Sequence, residues 1–210
     1  MTNSLASMLA QNPVIPVVTL QNADDGVKLA EALLEGGISV IEITLRTEAG
    51  LEAIRQVAKH VKGMIVGAGT ITTPDQFKQA VDAGSQFIVS PGLTDTLANG
   101  VLQESTPFLP GVSTTTEIMI AREYGLEFLK FFPASLSGGA AAIKQFGGLF
   151  PDIRFCPTGG INLDNFNDYL RLKNVVCVGG SWVSPDSLIN NANWGEITRL
   201  SQEALKAVKC

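Results

Sequence analysis

Phe128-Leu129-Lys130-Phe131-Phe132-Pro133 reads as a short β-strand with a lysine at its centre. Side chains alternate between the faces of a strand, so Lys130 shares a face with Phe128 and Phe132. A solubilising charge has little use for two aromatic neighbours. Burial among apolar groups disfavours an ammonium ion. Free lysines titrate near ~10.4, so about one in a few thousand is uncharged at neutral pH, and only the neutral amine attacks a carbonyl. Lys130 is therefore either a buried structural cation paired to a carboxylate or a Schiff-base nucleophile.

Seven further apolar runs share the character of residues 128–132. They cover residues 14–20, 40–45, 64–68, 87–90, 108–110, 154–157 and 175–178, and successive runs start about 20 to 26 residues apart. That interval accommodates one strand, one crossover helix and two short loops. Helix-start signals fall between them: Asp24-Asp25, Thr47-Glu48, Thr73-Pro74-Asp75, Thr94-Asp95, Thr114 with Glu117, Ser137, Asn162 and Asp186. Gly36-Gly37, Gly63, Gly84 and Gly125 close helices before the next strand. Eight strands alternating with helices predict an α/β protein, a closed parallel (β/α)8 TIM barrel, with an extra N-terminal helix over residues 4–10 covering its floor. Residues 1–210 are expected to form one domain. The competing open sheet would carry a Gly-x-Gly-x-x-Gly turn after its first strand, and Gln21-Asn22-Ala23-Asp24-Asp25 stands there instead.

Composition narrows the function. The 210 residues carry a net charge of −5 and no basic run, which argues against nucleic-acid binding. Mean hydropathy is positive without a span long enough to cross a bilayer. No secretory signal is expected, and Cys156, Cys177 and Cys210 have neither metal-ligand nor redox spacing, so a reducing cytoplasm is expected. His60 is the single histidine, expected at a helix end on the surface, so no metal site is expected.

Active sites of such barrels lie at the C-terminal ends of the strands. Glu42, Thr44 and Arg46 have one parity there. Glu42 inside an apolar strand is costly unless paired. It is a structural partner of Arg46 or Lys130, a general acid/base, or both in turn. Arg46 could merely start the next helix as a solvated arginine, but its better use is as a fork that grips a carboxylate. Thr70 at the next strand end could add a hydroxyl, its plainer reading being a helix-loop residue. Gly159-Gly160 and Gly179-Gly180-Ser181 fall after strands seven and eight, the habitual phosphate site of this barrel, although glycine pairs also serve tight turns.

Several of these stretches resemble the bacterial 2-keto-3-deoxy-6-phosphogluconate (KDPG) and 4-hydroxy-2-oxoglutarate (KHG) aldolase family. They are residues 40–48, 66–70, 90–92, 110–114, 128–134, 154–160 and 179–182, and the similarity runs from about Pro13 onward without a departure at a motif position. Pro13-Val14-Ile15-Pro16-Val17-Val18 looks like the Entner–Doudoroff members and lacks the arginine that some relatives acting on galactose-derived substrates carry. The resemblance implies a class I aldolase that needs no metal or other cofactor and forms a homotrimer. By motif it makes Lys130 the Schiff-base lysine and Glu42 the acid/base. It gives the pyruvyl carboxylate to Arg46 and Thr70, and the pyruvyl pocket to Pro91, Phe132 and Thr158. Gly159, Gly160, Gly180 and Ser181 would take the phosphate. The implied substrate is a phosphorylated keto-sugar acid, cleaved to pyruvate and glyceraldehyde 3-phosphate. A barrel isomerase that moves protons without a covalent intermediate, and a sugar-phosphate sensor without catalysis, are the rival readings of the same residues.

Overall fold

The structure, a computed structural model, describes residues 2–208; Cys210 lies outside the described residues. Its strands are β1 (Val14–Val18), β2 (Val40–Thr44), β3 (Ile65–Gly69), β4 (Phe87–Val89), β5 (Phe108–Leu109), β6 (Gly111–Val112), β7 (Phe128–Phe131), β8 (Arg154–Pro157) and β9 (Val178–Gly180). The helices are α1 (Thr2–Gln11), α2 (Asp25–Glu35), α3 (Ala49–His60), α4 (Pro74–Asp82), α5 (Asp95–Val101), α6 (Thr115–Glu123), α7 (Gly139–Leu149), α8 (Phe166–Leu170), α9 (Asp186–Asn190) and α10 (Trp194–Ala207).

Every strand pairing is parallel. One ladder runs β5-β4-β3-β2-β1-β9 and a second runs β6-β7-β8. They are two arcs of one cylinder. β5 and β6 are the fifth strand divided at Pro110, which has no N–H to give to a ladder. Its carbonyl accepts from Lys130 N at 2.8 Å and carries the pairing on to β7. The other seam closes through parallel bridges from Phe155 to Val175 and from Thr158 to Gly179. The fold is the expected (β/α)8 barrel.

Alternation within β7 places the catalytic candidate. Leu129 and Phe131 are fully buried against the helical layer, where the Phe131 ring meets Phe146 of α7 and Phe155 of β8 edge-on. Lys130 has the opposite parity and points into the barrel. Thr73, Thr94 and Thr114 cap α4, α5 and α6 as the sequence suggests. At Thr114 the capping box is complete, with Glu117 returning to the Thr114 and Ser113 backbone N–H groups.

Three local expectations need correction. Ser137 does not cap α7; its N–H closes a turn on Pro133, and the helix begins behind Gly138 at φ +96°. Thr47 spends its hydroxyl on the Leu20 carbonyl, leaving Glu48 at the head of α3. The eighth strand lies at 178–180, where β1 offers a ladder, whereas Val175 makes a single bridge. The sequence reading also missed α10, which packs on α2 where Gly36 admits the Ser201 side chain and Thr198 Oγ1 donates to the Ala32 carbonyl at 3.0 Å.

α1 covers the N-terminal end of the barrel, as expected. Leu9 is fully buried, and Leu5 shares an apolar groove with Pro107, Phe108 and Phe128 at the strand starts. Just beyond α1, Ser39 Oγ donates to Asn12 Oδ1 at 3.0 Å ahead of β2.

Candidate active site

Lys130 Nζ lies 3.2 Å from Glu42 Oε1, and each side chain is only 5% exposed. The two residues are 88 positions apart in the chain and meet inside the barrel. The Phe132 ring stands 5.2 Å from Nζ, so the ammonium also faces a π-cloud. A buried ion pair of this kind does not repay its desolvation through attraction alone. It is costly equipment for a scaffold and useful equipment for proton transfer.

The neighbouring strands make room for it. A Cβ on Gly69 would sit 2.1 Å from Glu42 Oε1, so a side chain there would evict the carboxylate. Thr70 follows at φ +63°, a backbone region that a β-branched residue rarely enters. Its Oγ1 accepts from Arg46 Nε at 3.2 Å. Arg46 is exposed, Thr70 half-buried, and both stand at the mouth just beyond β2 and β3. Pro91 is joined to the centre through Gly111, which touches the Pro91 carbonyl and pairs with Lys130 in register.

A third group gathers beside Phe132. Gly159 lies in contact range of Phe132 and Pro133. Buried Thr158 has its hydroxyl against Gly179, and Gly180 reaches toward the Ile161 carbonyl. Gly159 and Gly160 have φ of +98° and +75°. Among the described residues, the N–H groups of Gly160 and Ile161 donate to no protein acceptor, whereas Gly159 adjoins the parallel bridge between Thr158 and Gly179. The Gly159 carbonyl is held by Ser135 N at 3.0 Å and the Gly160 carbonyl by Asn165 Nδ2 at 2.9 Å. Each carbonyl opposes the next residue's N–H across a planar peptide, so tying down these two turns the Gly160 and Ile161 donors the other way. Such a row of free amides suits an anion. Ser181 is exposed next to it and begins the turn closed by Ser184 N on the Ser181 carbonyl.

The structure thus connects the expected residues in three patches: Lys130 with Glu42 and Phe132, Arg46 with Thr70, and Thr158 with both glycine pairs. The sequence reading overlooked Trp182 and the role of Gly69. The Trp182 ring lies under Gly180 and packs at a tilt on Phe166, with ring centroids 5.9 Å apart, forming the floor of that loop. The adjacency Gly180-Ser181-Trp182 is the only hint the sequence offers. Thr44 was noted by parity alone; its hydroxyl meets that of Thr19 at 2.8 Å.

Cys156, in register with Lys130, and Cys177 are buried free thiols. Burial pushes the Cys177 thiol well above its ordinary range, with the hydrogen bond to Cys156 adding to the shift, so it stays protonated. His60 ends α3 on the surface. Among the described residues no group of three or more His, Cys, Asp or Glu side chains converges as a metal site would, and no helix is long and apolar enough to cross a membrane.

Residues 5–200 match the family model for KDPG and KHG aldolase. The chain belongs to the KDPG and KHG aldolase family. It is 44% identical over 206 residues to the KHG/KDPG aldolase of Escherichia coli K12, covering 98% of this chain and 97% of that one. The crystal structure of KDPG aldolase from Legionella pneumophila, with pyruvate captured at low pH as a covalent carbinolamine, superposes with a TM-score of 0.94 at 42% identity. That match covers 97% of this chain and 99% of the other. The KDPG aldolase of Zymomonas mobilis ZM4, solved with 3-phosphoglycerate, gives a TM-score of 0.91 at 40% identity over 97% and 96%. The aldolase family fixes the reaction class, an aldehyde lyase acting through a Schiff base.

Proposed function

We propose that this family member cleaves 2-dehydro-3-deoxy-6-phosphogluconate to pyruvate and D-glyceraldehyde 3-phosphate, the Entner–Doudoroff cleavage, with Lys130 as the Schiff-base lysine and Glu42 as the proton shuttle. The observation that carries the assignment is the buried 3.2 Å contact between Lys130 Nζ and Glu42 Oε1. One ammonium proton passes across it to Glu42, which frees the lysine lone pair. The amine attacks the C2 keto carbon of the sugar acid and forms a carbinolamine. Protonated Glu42 returns its proton to the departing hydroxyl, water leaves, and an iminium remains as an electron sink beside C3. Glu42, now a carboxylate, takes the proton of the C4 hydroxyl. The C3–C4 bond breaks, its electron pair flows into the iminium, and glyceraldehyde 3-phosphate departs. The enamine is protonated at C3 through Glu42, and water hydrolyses the new iminium to pyruvate and free Lys130.

Arg46, steadied by Thr70, holds the pyruvyl carboxylate at the mouth. Pro91, Phe132 and Thr158 line the pyruvyl pocket. Gly159, Gly160, Gly180 and Ser181 receive the phosphate, whose charge suits the uncommitted amides. Fixing both ends of the substrate converts a loose encounter into an oriented one. The smaller 4-hydroxy-2-oxoglutarate, which would give pyruvate and glyoxylate, is an expected second substrate that uses the same lysine and dispenses with the phosphate corner. The family resemblance also supports a single-domain homotrimer working in the cytoplasm without a cofactor; sedimentation velocity on the purified chain tests the trimer.

Incubation with pyruvate and borohydride, followed by mass spectrometry, tests the covalent step. A reduced pyruvyl adduct on the peptide carrying Lys130 is expected. An unmodified chain that still isomerises or merely binds sugar phosphates would favour the rival readings.

A further inference from the structure

The structure assigns Ser135 as an additional binding residue for the substrate phosphate, one that neither the family motifs nor the glycine pattern supplies. The assignment deepens the functional reading above and rests on its placement of the phosphate at the Gly159-Gly160 loop. Ser135 is three residues beyond Phe132, in the turn that leads from β7 to α7. That turn lies directly on the glycine loop. Ala134 N donates to the Thr158 carbonyl at 2.8 Å, and Ser135 N donates to the Gly159 carbonyl at 3.0 Å. The Ser135 backbone is therefore anchored to the peptide whose opposite edge is the Gly160 N–H.

The side chain points the same way. A Cβ built on Gly160 would stand 2.1 Å from Ser135 Oγ and 2.6 Å from Ser135 Cβ. The hydroxyl occupies the volume that any other residue at 160 would fill. The glycine thus has a second role besides its positive φ: it admits this hydroxyl to the edge of the loop. Ser135 is exposed, and its Oγ makes no hydrogen bond among the described residues. It abuts Gly160, whose N–H, like that of Ile161, has no protein acceptor among the described residues. A phosphate has more acceptor oxygens than these amides engage, and a hydroxyl is the complementary short donor with no charge to repel it. Of its neighbours, Ser137 commits its N–H to the Pro133 carbonyl, and Leu136 is 86% exposed with an apolar side chain.

The test compares two substrates in the intact protein. Ser135→Ala should raise KM for the phosphorylated keto-acid by roughly threefold to tenfold, the size of one ordinary solvent-exposed hydrogen bond, with kcat nearly unchanged. KM for 4-hydroxy-2-oxoglutarate, which has no phosphate, should stay within experimental error. Ser135→Asp should raise KM for the phosphorylated acid further, on the order of tenfold or more, because like charges then face each other. Ser135→Thr, which keeps a hydroxyl, should recover most of the wild-type KM. Thermal melts of all three variants should match wild type, as the site is exposed.

Unchanged KM for the phosphorylated substrate in both the Ala and Asp variants overturns the assignment. So does an equal rise for both substrates, which would mean that Ser135 acts on the loop rather than on the phosphate. Failure of the underlying reading looks different: wild-type protein would not cleave the phosphorylated acid, or would show no phosphate-dependent gain over the unphosphorylated substrate.

Discussion

The two ends of the barrel solve opposite problems. The floor, under α1, buries Leu9 completely and keeps its polar contacts to simple pairs such as Ser39 with Asn12. The mouth buries an ammonium and a carboxylate, holds Thr70 in a left-handed conformation, and opens glycine loops with uncommitted amides. One end lowers the free energy of the fold, and the other stores groups that water or packing would serve better. The contrast teaches where stability and chemistry have been separated along the same strands.

Lys130→Ala should break the mouth most severely. Nearly all turnover should vanish in a steady-state assay, and the borohydride adduct with it. The variant should also be less stable by about 3–5 kcal/mol in urea, since Glu42 is left buried without a partner. Glu42→Gln keeps the shape and should lower kcat by ~10²–10⁴, measured under saturating substrate, with little change in phosphate affinity. Leu9→Ala at the floor should reverse the pattern. A loss of about 2–5 kcal/mol in denaturant midpoint analysis should accompany an unchanged kcat at temperatures where the variant is folded. If the floor variant lost turnover before it lost structure, the division between the two ends would fail.

Smaller effects sharpen the comparison. Thr70→Gly removes the strained side chain and should stabilise the fold by about 1 kcal/mol in thermal melts while raising KM for the keto-acid, because Arg46 loses its hydroxyl support. Glu117 at the head of α6 should give the least. Burial pushes its carboxyl up, but hydrogen bonds from the Ser113 and Thr114 N–H and hydroxyl groups prevail and hold it below the usual carboxylate range. A carboxyl depressed in the folded state stabilises above its unfolded value and stops doing so as pH falls through the folded one. Glu117→Gln should therefore cost roughly 0.5 kcal/mol at pH 7, screened by water, and nothing once the pH lies below the folded value. Urea titrations at both pH values measure the difference.

Much of this was legible because the informative signals are local. A strand repeats every two residues, a threonine cap acts three residues ahead, and a lysine between aromatics stands out within a six-residue window. Ser137 and Thr47 misled for the same reason. Each has the chemistry of a cap, yet Ser137 falls inside a turn that its N–H closes on the Pro133 carbonyl, and Thr47 gives its hydroxyl to the distant Leu20 carbonyl. Pro110 looked like the end of a strand and is its midpoint, because neighbours on both sides supply the ladder that proline interrupts.

The sequence by itself determined the alternation of strands and helices, the parity that points Lys130 and Glu42 inward, and the positions where glycine could bend the chain. Tertiary structure alone decided that residues 88 positions apart come within 3.2 Å, that Gly69 vacates the space for a carboxylate, and that Ser135 leans on Gly160. The reason is physical. Backbone periodicity is written in neighbours along the chain, whereas distances across a barrel depend on closure, and closure is a property of all the strands together.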